Sequence, residues 1–295
     1  MSAANSPYDA GTIPRCYRHP DRETYITCQR CGRPICPDCM RQASVGFQCP
    51  DCVRQGAAQS RPVRTSFGGR VAEGVPVVTI GLIAVNVLFF LIAYATGGMT
   101  GSFSKTMLEI PDSSAYAPGA GVEGIAQGAY WQLISSTFLH IEIWHIGFNM
   151  VGLWIFGRFL ESQLGRWRFL SAYLLTGFVG SVAVYWLERP DYQPSLGASG
   201  SIFGLFAAAL VVLLKQHRDI TQLIILLVLN LVITFTVPHI SWQAHIAGLV
   251  SGLLIGAGFA YAPRENRTLL HIAMLGAIFA VAVAAVVLRT AQLTG

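Results

Sequence analysis

The 295-residue chain is 53% hydrophobic and only 12% charged, and its formal net charge is +5. Soluble domains carry about 25% charged residues, so this composition excludes an ordinary soluble globular protein and predicts a membrane protein. The positive charge requires no nucleic acid as partner, because basic residues in short loops orient membrane helices.

Residues 1–13 read as a disordered lead. The first 70 residues are polar and the first long apolar run starts near Pro76, so no cleavable leader is expected and the N-terminal region should stay on the side where it is made. All seven cysteines lie between Cys16 and Cys52, in the pattern Cys16-x-x-His19, Cys28-x-x-Cys31, Cys36-x-x-Cys39, Cys49-x-x-Cys52. Four tight pairs on a cytosolic side point to metal rather than disulfides. Each pair can hold one edge of a tetrahedral Zn²⁺, so eight ligands suit two structural ions, with no coordination position left open for chemistry. The order of the pairs resembles the B-box type of zinc finger. That resemblance implies that Cys16, His19, Cys36 and Cys39 share one ion and Cys28, Cys31, Cys49 and Cys52 the other. Sequential pairing would also close both sites. A unit spanning 14–54 is too small to fold on an apolar core, so metal should supply most of its stability. Its expected role is structural, or the binding of a cytoplasmic protein partner.

A basic linker, 55–75, leads to seven apolar segments near 76–96, 136–157, 169–187, 198–214, 220–237, 243–262 and 269–288. A membrane helix needs about 17–25 residues, and each segment qualifies. With the N-terminus cytoplasmic, the inner flanks hold Arg61, Arg64, Arg70, Arg158, Arg166, Arg168, Lys215, Arg218, Arg264 and Arg267, and the outer flanks only Lys105, Arg189 and Arg289. That asymmetry orients the chain, and seven crossings leave the C-terminus outside. The loop from 97 to 135, rich in Gly, Ser, Pro and aromatics, should pack on the bundle or lie at the interface.

Gly197-Ala198-Ser199-Gly200 opens the fourth segment, and Ala244-His245-Ile246-Ala247-Gly248 opens the sixth. Both segments run the same way, and Ser199 and His245 fall at matching depths, roughly 5 Å below one boundary. A serine beside a histidine is the minimum equipment for nucleophilic attack on an acyl group. Gly197, Gly200 and Gly204 on one segment, and Gly248, Gly252 and Gly256 on the other, would let the two helices touch backbone to backbone. The second segment adds His140, His145 and Asn149, the last two on one helix face, where they could donate to a developing oxyanion. No carboxylate accompanies the pair, so a Ser-His-Asp triad is not expected. Phe203, four residues after Ser199, is the candidate to hold the His245 ring by stacking. Phe235, near the end of the fifth segment, is a candidate gate towards the second.

In combination these motifs resemble the rhomboid intramembrane serine proteases: Gly197-Ala198-Ser199-Gly200, Ala244-His245-x-x-Gly248, and Phe138-Leu139-His140 followed by His145-x-x-x-Asn149, with Glu161 and Gly165 beyond. The resemblance covers about 76–262 and implies an all-α polytopic membrane protein. Six helices form the core, 263–295 adds a C-terminal seventh, and the small zinc-binding domain precedes them. It further implies Ser199 as nucleophile, His245 as general base, and His145, Asn149 and the Ser199 amide as oxyanion donors. Catalysis would need no cofactor. The substrates implied are single-span membrane proteins cut near the outer face of the bilayer, and a bacterial plasma membrane is the expected location. An inactive rhomboid-like scaffold that binds transmembrane helices is the alternative.

Overall fold

A computed structural model describes residues 13–59, 64–69, 74–116, 121, 123–188 and 194–295. Residues 1–12 of the expected lead, and residues 60–63 and 70–73 of the expected linker, lie outside the described residues. The chain divides between residues 62 and 63 into two compact units.

The first unit is organised by its cysteines. A hairpin joins β1 (Arg41–Gln42) to β2 (Phe47–Gln48) in antiparallel register, Arg41 facing Gln48. The helix α1 (Pro50–Gln59) follows, so the unit runs past residue 54 and takes in part of the span read as linker. Six of the seven cysteines are at most 4% exposed, and together with Ile35 they make up the unit's buried cluster. So little apolar surface cannot hold a fold this size without a further bond.

The second unit is helical throughout. Its helices are α2 (Val77–Ala95), α3 (Ser102–Met107), α4 (Ser113–Tyr116), α5 (Gln132–Ser135), α6 (Ile143–Leu164), α7 (Arg166–Leu187), α8 (Ser199–Lys215), α9 (Thr221–Thr236), α10 (Trp242–Tyr261) and α11 (Arg267–Thr294). Four of them, α2, α7, α10 and α11, are long and apolar enough to cross a membrane; α8 and α9 are shorter apolar helices. α6 coincides with the second apolar segment but begins at Ile143, not near 136. The turn before it is 3₁₀ through Phe138 and extended at Leu139. It leaves the Ser136 carbonyl to accept the Gly197 amide at 2.9 Å. The family of apolar helices, their exposed Leu, Ile and Val rows and the low charge make this an integral membrane protein.

α8 sits at the centre: every residue from Phe203 to Val212 is buried. A helix that is apolar all round is a core helix. Against it packs α10, and the glycines explain how closely. A Cβ on Gly248 would land on the Gly200 carbonyl oxygen, and one on Gly252 on the Gly204 carbonyl oxygen. The expected stripe of small residues is therefore a backbone-to-backbone contact.

Polar side chains tie the other helices to this centre. α2 starts after Pro76 with no side-chain cap of its own. Its first amides, which have no partner within the helix, are received by Glu161 of α6: Val78 N at 3.1 Å, Thr79 N at 2.8 Å and Thr79 Oγ1 at 2.8 Å. A carboxylate at a helix N-terminus is also favoured by the helix dipole. The long loop between α2 and α6 packs as short helices, with Leu108, Ile110, Ile125 and Ala129 buried. Gln132 locks it, accepting from Ile110 N at 3.0 Å and donating to the Glu123 carbonyl at 2.8 Å. Glu109 and Ser195 exchange backbone hydrogen bonds of 3.0 and 3.1 Å, which joins this loop to the segment leading into α8.

Glu161 is fully buried, so removing it strands two amides and a hydroxyl at once. Glu161→Ala is expected to cost about 2–4 kcal/mol. Glu161→Gln, which keeps one acceptor, should cost less. Thermal unfolding in detergent reads the difference.

Candidate active site

The site is built where α8 and α10 begin. Gly197 takes a φ of +115°, which turns the chain sharply into α8. Its lack of a side chain has a second use. A Cβ there would lie 2.7 Å from both Cε1 and Nε2 of His145, so only glycine lets that ring rest against the turn. His140 holds the same turn from behind. It is 1% exposed; its Nδ1–H faces the Phe138 carbonyl at 3.3 Å, and its Nε2 accepts from the Ala198 amide at 3.4 Å. The His140 and His145 rings meet edge to face at 4.9 Å.

Ser199 is the first residue of α8 and is half-buried. His245 is in the first turn of α10 and 7% exposed. Nε2 of His245 lies 2.7 Å from Oγ of Ser199. The Phe203 ring, one turn along α8, stacks on the imidazole at 4.2 Å and 16° between planes. On the far side of the imidazole, Nδ1 is 2.7 Å from Oγ1 of Thr234 on α9. Sequence reasoning left the support of His245 to Phe203 alone and missed Thr234. One threonine among the leucines, isoleucines and valines of α9 carries no signal by type or spacing.

His145 and Asn149 stand one turn apart on α6, and Asn149 Nδ2 donates to the His145 carbonyl at 2.8 Å. That bond uses one of its two amide hydrogens and steers the other away from the helix's own backbone. The first amides of α8, at Ser199 and beyond, have no partner within the helix by construction. His145 rests against the Gly197 turn that leads into Ser199. Phe235 stands apart: it is 63% exposed, and its ring neighbours Trp242 of α10 at 6.2 Å rather than a residue of α6.

The Rhomboid domain family matches residues 127–262, the stretch that holds all of these side chains. YdcA of Bacillus subtilis is 36% identical over 137 residues, 45% of this chain and 68% of that protein. The chain belongs to the rhomboid family. The rhomboid protease GluP of Bacillus subtilis is 33% identical over 213 residues, 70% of this chain but only 40% of its own length. The rhomboid protease AarA of Providencia stuartii is 24% identical over 242 residues, 72% of this chain and 82% of its own length. The family match begins at residue 127, so the cysteine-rich unit lies outside the rhomboid domain.

That unit gathers its eight donors into two clusters, Cys16, His19, Cys36, Cys39 and Cys28, Cys31, Cys49, Cys52, with ligand atoms within 4.8 Å of one another. The first and third pairs therefore meet, as do the second and fourth; the sequential pairing is not the one formed. His19 Nδ1 lies 3.3 Å from Cys36 Sγ and 3.4 Å from Cys39 Sγ. Burial alone would raise the Cys16 and Cys28 thiols, but backbone N–H groups at both sulfurs bring them down to about 6. Burial and the neighbouring sulfurs push Cys39 up to about 11 and Cys52 up to about 12. Burial would raise Cys49 as well, but hydrogen bonds to its sulfur bring it down, so without a cation the first cluster favours one thiolate and the second favours two, while each resists another. A bound divalent cation removes that conflict, and the donor set fits a metal ion.

Gly197→Ala is expected to expel the His145 ring and strain the turn at positive φ. Rhomboid-type cleavage should fall at least about 10-fold, since small displacements of reacting groups cost heavily. A melting point within a few degrees of wild type would separate this from unfolding.

Proposed function

We propose that this rhomboid is an intramembrane serine endopeptidase that cuts transmembrane protein substrates near the outer face of the bilayer. The carrying observation is the 2.7 Å contact between His245 Nε2 and Ser199 Oγ at the adjoining ends of two apolar helices. The Ser199 hydroxyl gives its proton to His245 Nε2 as Oγ bonds to the scissile carbonyl carbon, and the carbonyl π pair moves onto oxygen. The Ser199 amide, His145 and Asn149 receive that oxyanion, where preorganised donors are worth most in a water-poor site. On collapse, the departing amine takes the proton from Nε2. Water then repeats the sequence on the acyl-serine and releases the acid. No carboxylate is needed, because Phe203 and Thr234 hold the imidazole.

In this reading the N-terminus is cytoplasmic and the C-terminus outside, as the basic flanks favour, and a bacterial plasma membrane fits the chain's relatives. The cysteine unit is a B-box-like zinc finger. Cys16, His19, Cys36 and Cys39 hold one structural Zn²⁺ and Cys28, Cys31, Cys49 and Cys52 the other. Bound zinc supplies folding energy and a rigid surface for a cytoplasmic protein partner; the peptidase chemistry uses no cofactor.

Ser199→Ala and His245→Ala should each abolish cleavage of a transmembrane substrate in liposomes, and the double variant should be no worse than either alone. A serine-directed fluorophosphonate should label wild type and not Ser199→Ala. Wild type that neither cuts nor labels would make the chain a helix-binding scaffold. Asn149→Ala should lower kcat roughly 10–1000-fold with KM little changed. For the finger, metal analysis should find about two zinc ions per chain. Cys39→Ser and Cys52→Ser should each lose one.

A further inference from the structure

We infer that Thr234 of α9 is a positioning residue that fixes the proton of His245 on Nδ1, so that Nε2 faces Ser199 as a free base. The inference rests on the Ser199–His245 reading given above and adds the group that orients the base.

Each neutral imidazole has one N–H and one bare nitrogen, and the bond made by the first selects which nitrogen can act. His245 has two hydrogen-bonding neighbours, Ser199 Oγ at Nε2 and Thr234 Oγ1 at Nδ1, both at 2.7 Å. The direction of the second bond follows from Thr234's other partner. Its Oγ1 lies 2.8 Å from the Asn230 carbonyl one turn back along α9. A carbonyl can only accept, and a hydroxyl has one proton. That proton goes to Asn230, and what Thr234 offers the imidazole is a lone pair. Nδ1 must therefore carry the hydrogen, and Nε2 is left bare towards the serine.

The same bond serves the charged state. When the Ser199 proton arrives at Nε2, the imidazolium still donates Nδ1–H to Thr234, so no hydrogen bond is broken as charge develops. In serine proteases with a triad, a carboxylate does this work by holding the tautomer and the ring orientation. Here a neutral hydroxyl, itself oriented by a helix carbonyl, takes the place of that carboxylate. Its siting is selective: Thr234 is 3% exposed and is the only buried residue in α9. The other threonine bonded in this way on α9, Thr236, gives its hydroxyl to Val232 and is exposed.

The test pairs a spectroscopic readout on the intact protein with two variants. In ¹⁵N-histidine-labelled wild type in detergent, the signals lost in His245→Ala belong to His245, and they should show Nδ1 protonated and Nε2 bare near neutral pH. An Nε2-protonated ring in wild type would overturn the proposal without any change at Thr234. Thr234→Val keeps the shape and removes the lone pair. It should lower kcat about 10–100-fold, the scale of stranding one buried donor, leave KM nearly unchanged, and mix the two tautomers. Thr234→Ser restores the acceptor and should recover most of the loss and the single tautomer. Wild-type kcat with one unchanged tautomer in Thr234→Val would refute the assignment. Equal loss in the valine and serine variants would reduce Thr234 to packing and refute it as well. Cleavage that survives in Ser199→Ala would instead defeat the dyad reading, and is distinguishable because it does not depend on Thr234.

Discussion

The contact between the backbones of α8 and α10 is the constraint on which the rest of the structure depends. A hydroxyl and an imidazole on separate helices reach 2.7 Å only if the helix axes come unusually close. Gly248 against the Gly200 carbonyl and Gly252 against the Gly204 carbonyl provide that approach. Side chains at these points would force the helices apart and carry His245 away from Ser199. In a bilayer the driving force is packing rather than escape from water, since lipid tails are as apolar as leucine. The closeness that stabilises the helix pair is therefore also the geometry of the site.

The surrounding helices are fastened by buried polar bonds, although Asn86 Oδ1 and His271 Nε2 have no hydrogen-bond partner among the described residues. Glu161 caps α2. Asn86 of α2 donates to the Leu82 carbonyl at 2.8 Å and to the Tyr173 hydroxyl of α7 at 3.3 Å. Arg168 of α7 donates Nε–H to His271 Nδ1 of α11 at 2.8 Å, with both residues at most 1% exposed. Here an imidazole accepts from a guanidinium to which, among the described residues, no acid is bonded, and the bond keeps α11 on the bundle. A hydrogen bond of this kind is modest in net terms, yet breaking it strands a buried polar group. These pins fix position more than they add stability, and they leave the α8–α10 pair undisturbed.

Much of this was legible in sequence because it rests on period and depth. The glycines at four-residue spacing, Ser199 and His245 at equal distances into parallel segments, and His145 four residues before Asn149 all follow from helix geometry. The stacking of Phe203 on His245 follows in the same way. The number of metal donors was legible from spacing; spacing alone left their pairing open, and the resemblance to the B-box order implied the interleaved grouping that the two clusters show. What stayed hidden depends on tertiary proximity between unlike segments. Thr234 is one hydroxyl in an apolar run. His271 sits in a helix without a motif. The late start of α6 follows a 3₁₀ turn whose Ser136 carbonyl accepts both the Leu139 amide and, across the bundle, the Gly197 amide. Such bonds leave no periodic trace.

The distribution of burial bears on how a substrate could reach the serine. α8 is enclosed from Phe203 to Val212, whereas α9 buries a single residue and turns Ile225, Leu229, Val232, Ile233 and Phe235 outwards. Displacing α9 therefore forfeits little packing, while displacing α8 or α10 would dismantle the bundle. On the function proposed here, a transmembrane substrate entering sideways from lipid would meet least resistance at α9. Yet the one side chain α9 buries is the one bonded to His245. On the assignment of Thr234 made above, a displaced α9 withdraws the lone pair that keeps the imidazole in its useful tautomer. Opening and catalytic readiness then oppose each other. On the proposed function the base would be fully set only with α9 in place, which would confine strong catalysis to a closed, water-poor state in which the oxyanion donors also count for most.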